Sequence, residues 1–139
     1  MQNIVNSDAS EVSNKTFNEL EISTVEHFIK NTSHSFQTTH KRVCFIIIQR
    51  IYRRVKEGYR FGGVKFNGDL IIDGHHRYIA YKLADVQFES LNGGRCHTDE
   101  IKEIKELEID IEEDWDYNNS FTRRYCTDDF LEGMEKITS

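Results

Sequence analysis

Asp73-Gly74-His75-His76-Arg77 sets a carboxylate, a glycine, two imidazoles and a guanidinium side by side, directly after the apolar run Leu70-Ile71-Ile72. These residue types suit an anion, phosphate above all. Arginine offers a planar fork that matches phosphate oxygens. Glycine, lacking Cβ, lets a ligand approach the backbone. Histidine adds hydrogen-bond donors and, near neutral pH, a proton carrier. A helix starting here would contribute its first backbone N–H groups and the positive end of its dipole. On this reading Asp73 is the N-cap, accepting from a backbone N–H two or three residues on, and Gly74, His75, His76 and Arg77 bind the ligand. A plainer alternative makes Asp73 a cap, Gly74 a turn residue and the rest ordinary surface groups. Paired histidines also suggest metal, but neighbouring side chains diverge and no third ligand follows, so no metal ligand is assigned.

The elements that must hold this pentad can be read on either side of it. Lys41 to Lys56 has helical spacing, with Val43, Ile47, Ile51 and Val55 on one stripe widened by Cys44, Ile48 and Tyr52. Gly58 is its expected stop. Arg50, Arg53 and Arg54 fall off that stripe, where they either line a phosphate groove, with Arg54 a ligand-binding residue, or face solvent. Beyond Gly58 the period becomes two. Val64-Lys65-Phe66, Asn67-Gly68 and Asp69 to Ile72 read as a hairpin, because Asn-Gly accepts positive φ at both turn positions. This hairpin feeds the strand–turn–helix, and helical spacing returns with Ile79, Ala80, Leu83 and Ala84.

The flanks are less informative. Residues 1–15 read as a flexible tail and 16–139 as a single domain. Thr16-x-x-Glu19 and Ser23-x-x-Glu26 match the capping box, the second before a short helix near Thr24 to Asn31. Asn31 to His40 is polar and reads as a loop, as does Asn92-Gly93-Gly94. Val86 to Phe88 is expected as a strand, Thr98 as the cap of a helix carrying Ile101 and Ile104, Leu107 to Ile111 as a strand with one wet face, and Asp128 to Ile137 as a last helix capped by Thr127. His97 reads as a loop residue. Trp115 is expected either to close the core or to anchor a partner. The fold class is α+β.

The stretch from Phe66 to Ala84, with Asp73-Gly74-His75-His76-Arg77 at its centre, resembles the nucleotide-binding motif of the ParB/sulfiredoxin superfamily, and the likeness extends over about Lys41 to Phe88. The resemblance implies a small α+β domain that holds nucleotide phosphates at the turn. Gly74, His76 and Arg77 match the positions that meet phosphate, and Ala80 the small residue packed beneath. The ligand it implies is ATP or CTP, with Mg2+, and the reaction is hydrolysis or transfer of a phosphoryl group. His75 stands where sulfiredoxin needs cysteine, which argues against sulfinic acid reduction. The remaining fifty or so residues are too few and too acidic for a partition protein's DNA-binding and dimerisation domains. A catalytic carboxylate would come from Glu57, Asp69, Asp73 or the acidic segment, and His76, Asp73 and Glu57 are taken as the catalytic set.

Bulk properties select among the functions this leaves. The net charge of −6 disfavours a general nucleic-acid binder, but Lys41 to Arg60 holds seven basic residues against one acidic, and Thr98 to Asp116 ten acidic against two basic. Such a dipole either aims an anion at one face or is two solvated faces. A second function class, an immunity- or antitoxin-like module covering a basic protein with the acidic segment, therefore stands beside the nucleotide enzyme or switch. A nuclease or toxin domain of the same fold is the third. No apolar run reaches the ~20 residues of a membrane span, no secretory leader is evident, and a cytoplasmic location is the expectation. Cys44, Cys96 and Cys126 lack metal-ligand spacing and read as small thiols rather than a disulfide framework.

Overall fold

Three helices and nine short strands form among the residues that the computed structural model describes: 19–31, 36–94, 101–126 and 135–136. The tail, Thr16, Cys96, His97, Thr98 and most of 127–139 lie outside them. The architecture is a small α+β domain with a mixed sheet.

Helix α1 (Ile22–Asn31) turns Val25, Phe28 and Ile29 inward. It begins one residue before Ser23. Glu21 accepts from the Thr24 and Val25 amides through its carbonyl, so the expected Ser23 capping box does not form. Strand β1 (Gln37–Thr38) runs through the polar stretch expected to be a loop. Thr38 is fully buried yet tolerable there, because its hydroxyl accepts the His40 N–H at 3.0 Å.

The long helix divides at Cys44. Residues Arg42–Cys44 are strand β2 and α2 is Phe45–Lys56. Helical spacing alone did not predict this, because the competing partner is distant: Val43 lies opposite Ile109 of β8 (Glu108–Asp110) in a parallel ladder. The buried stripe of α2 rotates accordingly to Phe45, Ile48, Ile51 and Val55, and takes in Arg54.

The glycine-rich centre folds as expected in outline. β3 (Tyr59–Arg60) leads to a hairpin of β4 (Val64–Asn67) and β5 (Leu70–Asp73). The turn is Gly68-Asp69, one residue later than Asn67-Gly68. Gly68 has φ +60° and Asp69 has no positive φ, the pattern of a type II′ turn rather than type I′. Helix α3 (His75–Leu83) follows, packed on α2.

The remaining strands complete the sheet. β6 (Ser90–Asn92) lies two residues beyond the expected Val86–Phe88 strand, and Phe88 instead stacks on Tyr81. β7 (Lys102–Glu103) and a 3-10 turn, Ile104–Glu106, replace the expected helix. β9 (Glu135–Lys136) pairs with β3 where a helix was expected. The main sheet has the order β6-β4-β5-β1-β7, with β4–β5 and β1–β7 antiparallel and β1–β5 and β4–β6 parallel. Ile29, Ile48, Val64, Ile71 and Ile79 lie between this sheet and the helices, each at most 1% exposed. Burial of each such side chain contributes about 1.5–3 kcal/mol. No helix among the described residues is long and apolar enough to cross a membrane.

Candidate functional site

Asp73 ends β5 and Gly74 is the N-cap of α3, with φ 93° and ψ 30°. This corrects the expected cap. Among the described residues the Asp73 carboxylate accepts only from the adjacent Gly74 N–H, at 3.0 Å, and no side chain caps the helix. The donors of the first turn are therefore left to solvent or a ligand. Only glycine adopts this conformation cheaply, and an added Cβ would stand 3.4 Å from Val64 Cα. Gly74→Ala is expected to cost about 1–2 kcal/mol, read as a fall of several degrees in Tm. An unchanged Tm would show that the left-handed turn is not required.

The next three side chains leave the helix in different directions. His75 points into the protein, 2% exposed, and stacks on the exposed His40 with ring centroids 3.7 Å apart and planes at 15°. Neither ring nitrogen has a hydrogen-bond partner among the described residues. Burial is the main reason its pKa falls to about 3, followed by the neighbouring His40 and His76; the Ile71 carbonyl, already taken by the Thr39 hydroxyl at 3.2 Å, pulls weakly the other way. His75 is a neutral stacked ring, not the surface donor expected.

His76 turns toward α2. The Cys44 N–H donates to its Nε2 at 2.9 Å, and Trp115 meets the ring edge-on at 5.7 Å. A nitrogen that accepts carries no proton, so the ring is neutral with its proton on Nδ1. Burial, then the charge of His40, lowers its pKa to about 4. This imidazole can donate through Nδ1–H to an anion, but it is poorly matched to shuttling protons near neutral pH.

Arg77 turns toward the loop before β4. Its Nη1 donates to the Gly63 carbonyl at 3.4 Å and lies 3.8 Å from where a Cβ on Gly62 would stand. No carboxylate pairs with it among the described residues. The sequence had not assigned Gly62 and Gly63 to the site, although a double glycine ahead of a strand was the available signal.

Two expected members sit elsewhere. Arg54 and Glu57 lie at the C-terminal end of α2 and pair with each other at 3.9 Å. At about 1.5 Å per residue, some 15 Å or more of helix separates them from the Cys44–His76 contact. Arg54 is 8% exposed and Glu57 is exposed.

The acidic segment folds back on the basic face of α2. Arg50 binds both Asp114 and Asp116, and Arg42 lies 3.4 Å from Asp110. Burial alone would raise the Asp114 carboxyl, but the Cys126 hydrogen bond and Arg50 together hold it below its ordinary value; in Asp116 burial prevails and the pKa is raised. Asp110 also accepts the Trp115 indole N–H at 2.9 Å, which with the Glu112 amide lowers its pKa. Trp115 is thus neither core nor free anchor: it is half-buried and holds the segment against His76. Cys44 is buried, with its thiol on the Glu113 carbonyl. The Cys126 pKa is pushed up to about 11, first by burial and then by the hydrogen bond to Asp114.

Among the described residues no cluster of three or more histidines, cysteines and carboxylates could hold a metal on its own. No protein-family model matches the chain, and no curated protein and no solved structure is significantly similar to it.

Proposed function

We propose that this chain binds the phosphate groups of a nucleotide, ATP or CTP, at the start of α3, in the manner of a ParB/sulfiredoxin-type domain. One observation carries the reading: the side-chain-free helix start at Gly74 lies beside Arg77, whose guanidinium has no carboxylate partner among the described residues. Amides and guanidinium present only donors, which an anion satisfies and a cation does not. His76 Nδ1–H adds a neutral donor on the α2 side.

Mg2+ fits this arrangement in one way. It commonly takes one or two protein carboxylates and completes its shell with phosphate oxygens and water, and the exposed Asp73 supplies one carboxylate at the turn. When bound it would neutralise phosphate charge. The chain's own residues orient the phosphates and supply donors toward charge developing on them. With the His76 Nε2 held by Cys44, binding is better supported than acid–base chemistry, so a nucleotide-responsive switch is favoured over a fast hydrolase.

The test is thermal unfolding with ATP, ADP, CTP and GTP, each with and without Mg2+, on wild type and Arg77→Ala. A nucleotide at ~100 times its Kd is expected to add about 2.7 kcal/mol of stability in wild type, and little in the variant. Absence of any shift in wild type would sink the reading. A second reading, a protein-binding module, draws on Tyr117 and Phe121, 57% and 80% exposed. It predicts a one-to-one complex with a basic protein that Arg77→Ala leaves intact.

A further inference from the structure

Arg77 and Tyr81 are four residues apart on α3 and therefore share a helix face. Both meet the same short loop. The Tyr81 hydroxyl accepts the Phe61 N–H at 3.0 Å and donates to the Gly62 carbonyl at 2.8 Å. The next carbonyl along, that of Gly63, accepts Arg77. On its far side the loop is tied by the Val64 N–H to the Glu89 carbonyl at 2.9 Å. Gly62 has φ +112°, and a Cβ on Gly63 would lie 2.5 Å from the Glu89 carbonyl oxygen, so the loop is built around its two glycines.

The tyrosine is itself held. It is 1% exposed, and its ring stacks on Phe88 with centroids 5.6 Å apart and planes at 16°. A side chain needed only as core would do as well with phenylalanine. This hydroxyl, placed between a donor and an acceptor of one loop, does something phenylalanine cannot.

We infer that Tyr81 is a positioning residue for the phosphate site: it holds the Gly62-Gly63 loop, and through the Gly63 carbonyl it aims the Arg77 guanidinium at the anion beside the start of α3. This rests on the phosphate-binding reading above. Arg77 has a long side chain with many rotamers, and its one hydrogen bond among the described residues is the 3.4 Å bond to that carbonyl. The carbonyl's position therefore decides how much ordering the arginine must undergo on binding. Loss of the Tyr81 hydroxyl frees the loop and raises that ordering cost without touching the ligand.

The experiment is a double-mutant cycle on the full chain, with Kd for MgATP and for inorganic pyrophosphate measured calorimetrically in wild type, Tyr81→Phe, Arg77→Lys and the double variant. Hydrogen exchange at the Phe61 and Gly63 amides is followed in the same proteins. Tyr81→Phe is expected to weaken binding roughly 3- to 10-fold, the scale of one net hydrogen bond, and to speed exchange at Phe61. In the Arg77→Lys background the same change is expected to weaken binding by less than about twofold, because the group being aimed is gone.

Wild-type affinity in Tyr81→Phe, or an equal loss in both backgrounds, overturns the inference while leaving the phosphate site standing. Failure of both ligands to bind wild type overturns the site and the inference together. Should Tyr81→Phe not fold, Gly62→Ala strains the same loop through its positive φ. It is expected to show the same Arg77-dependent loss, and binding equal to wild type would overturn the inference.

Discussion

Acidification from pH 7 to about pH 4 is expected to unfold the wild-type chain, and His75→Phe is expected to resist it. Burial holds the folded His75 pKa near 3, against an ordinary value of 6.5. Between those values the unfolded chain takes up a proton that the folded chain refuses, so stability is complete above about pH 6.5 and lost as pH falls toward 3. The gap is 6.5 − 3 = 3.5 units, and at ~1.36 kcal/mol per unit it corresponds to about 3–5 kcal/mol once some relaxation around the exposed His40 is allowed. His76 acts in the same direction, with a folded value near 4. Small domains hold only about 5–15 kcal/mol in total. Phenylalanine keeps the ring that stacks on His40 and removes two buried nitrogens that have no hydrogen-bond partner among the described residues, so at pH 7 the variant is expected to lie within about 1 kcal/mol of wild type or above it. Urea midpoints at pH 7, 6, 5 and 4 provide the measurement. Parallel profiles for the two proteins would show that His75 is not the source of the acid limb.

The same histidine marks the limit of what the sequence could show about the site. The turn at Gly74 and the hairpin before it were legible because their causes are local: glycine at positive φ, two short apolar runs, and a switch of period. Which way each side chain of the pentad points is not local. Successive residues of a helix are about 100° apart, so His75, His76 and Arg77 reach His40 beyond the end of β1, Cys44 at the start of α2 and the Gly62-Gly63 loop, and only the packing of those three neighbours decides which one remains available to a ligand. The strands missed or misplaced failed for a related reason. Gln37-Thr38 is polar and Arg42–Cys44 has helical spacing, yet each is drawn into a ladder by a partner distant in sequence. Glu57 was placed in the catalytic set on chemistry alone, with no means of seeing the length of α2 that lies between it and His76. Tyr81 drew no reading from the sequence, because its hydroxyl acquires meaning only when Phe61 and Gly62 are seen against it.

Removing the Arg50 guanidinium is expected to have the other large effect. Arg50, Asp114 and Asp116 have side chains only 13%, 20% and 19% exposed, and among the described residues the arginine is the one cation paired with both carboxylates. Arg50→Met keeps much of the aliphatic stem but leaves two half-buried carboxylates facing each other, which is expected to cost about 2–4 kcal/mol; the fully buried limit is higher. The damage should be local first. Trp115 sits between the two aspartates in sequence and against His76 in space, so release of the segment is expected to expose residues 111–126 to proteolysis before the sheet opens. Conversion of both carboxylates as well, in Arg50→Met/Asp114→Asn/Asp116→Asn, removes the repulsion and is expected to recover at least half of the loss. Chemical denaturation and limited proteolysis read the two effects separately. Equal stability of Arg50→Met and wild type would mean that the salt bridges are incidental and that the Trp115 and Cys44 contacts alone hold the acidic segment. The distinction bears on function, because carboxylates already committed to Arg50 are not available to a basic partner. A nucleotide site at α3 keeps its donors whether or not the segment is fastened, whereas a protein-binding role for the segment requires its negative charge to be free.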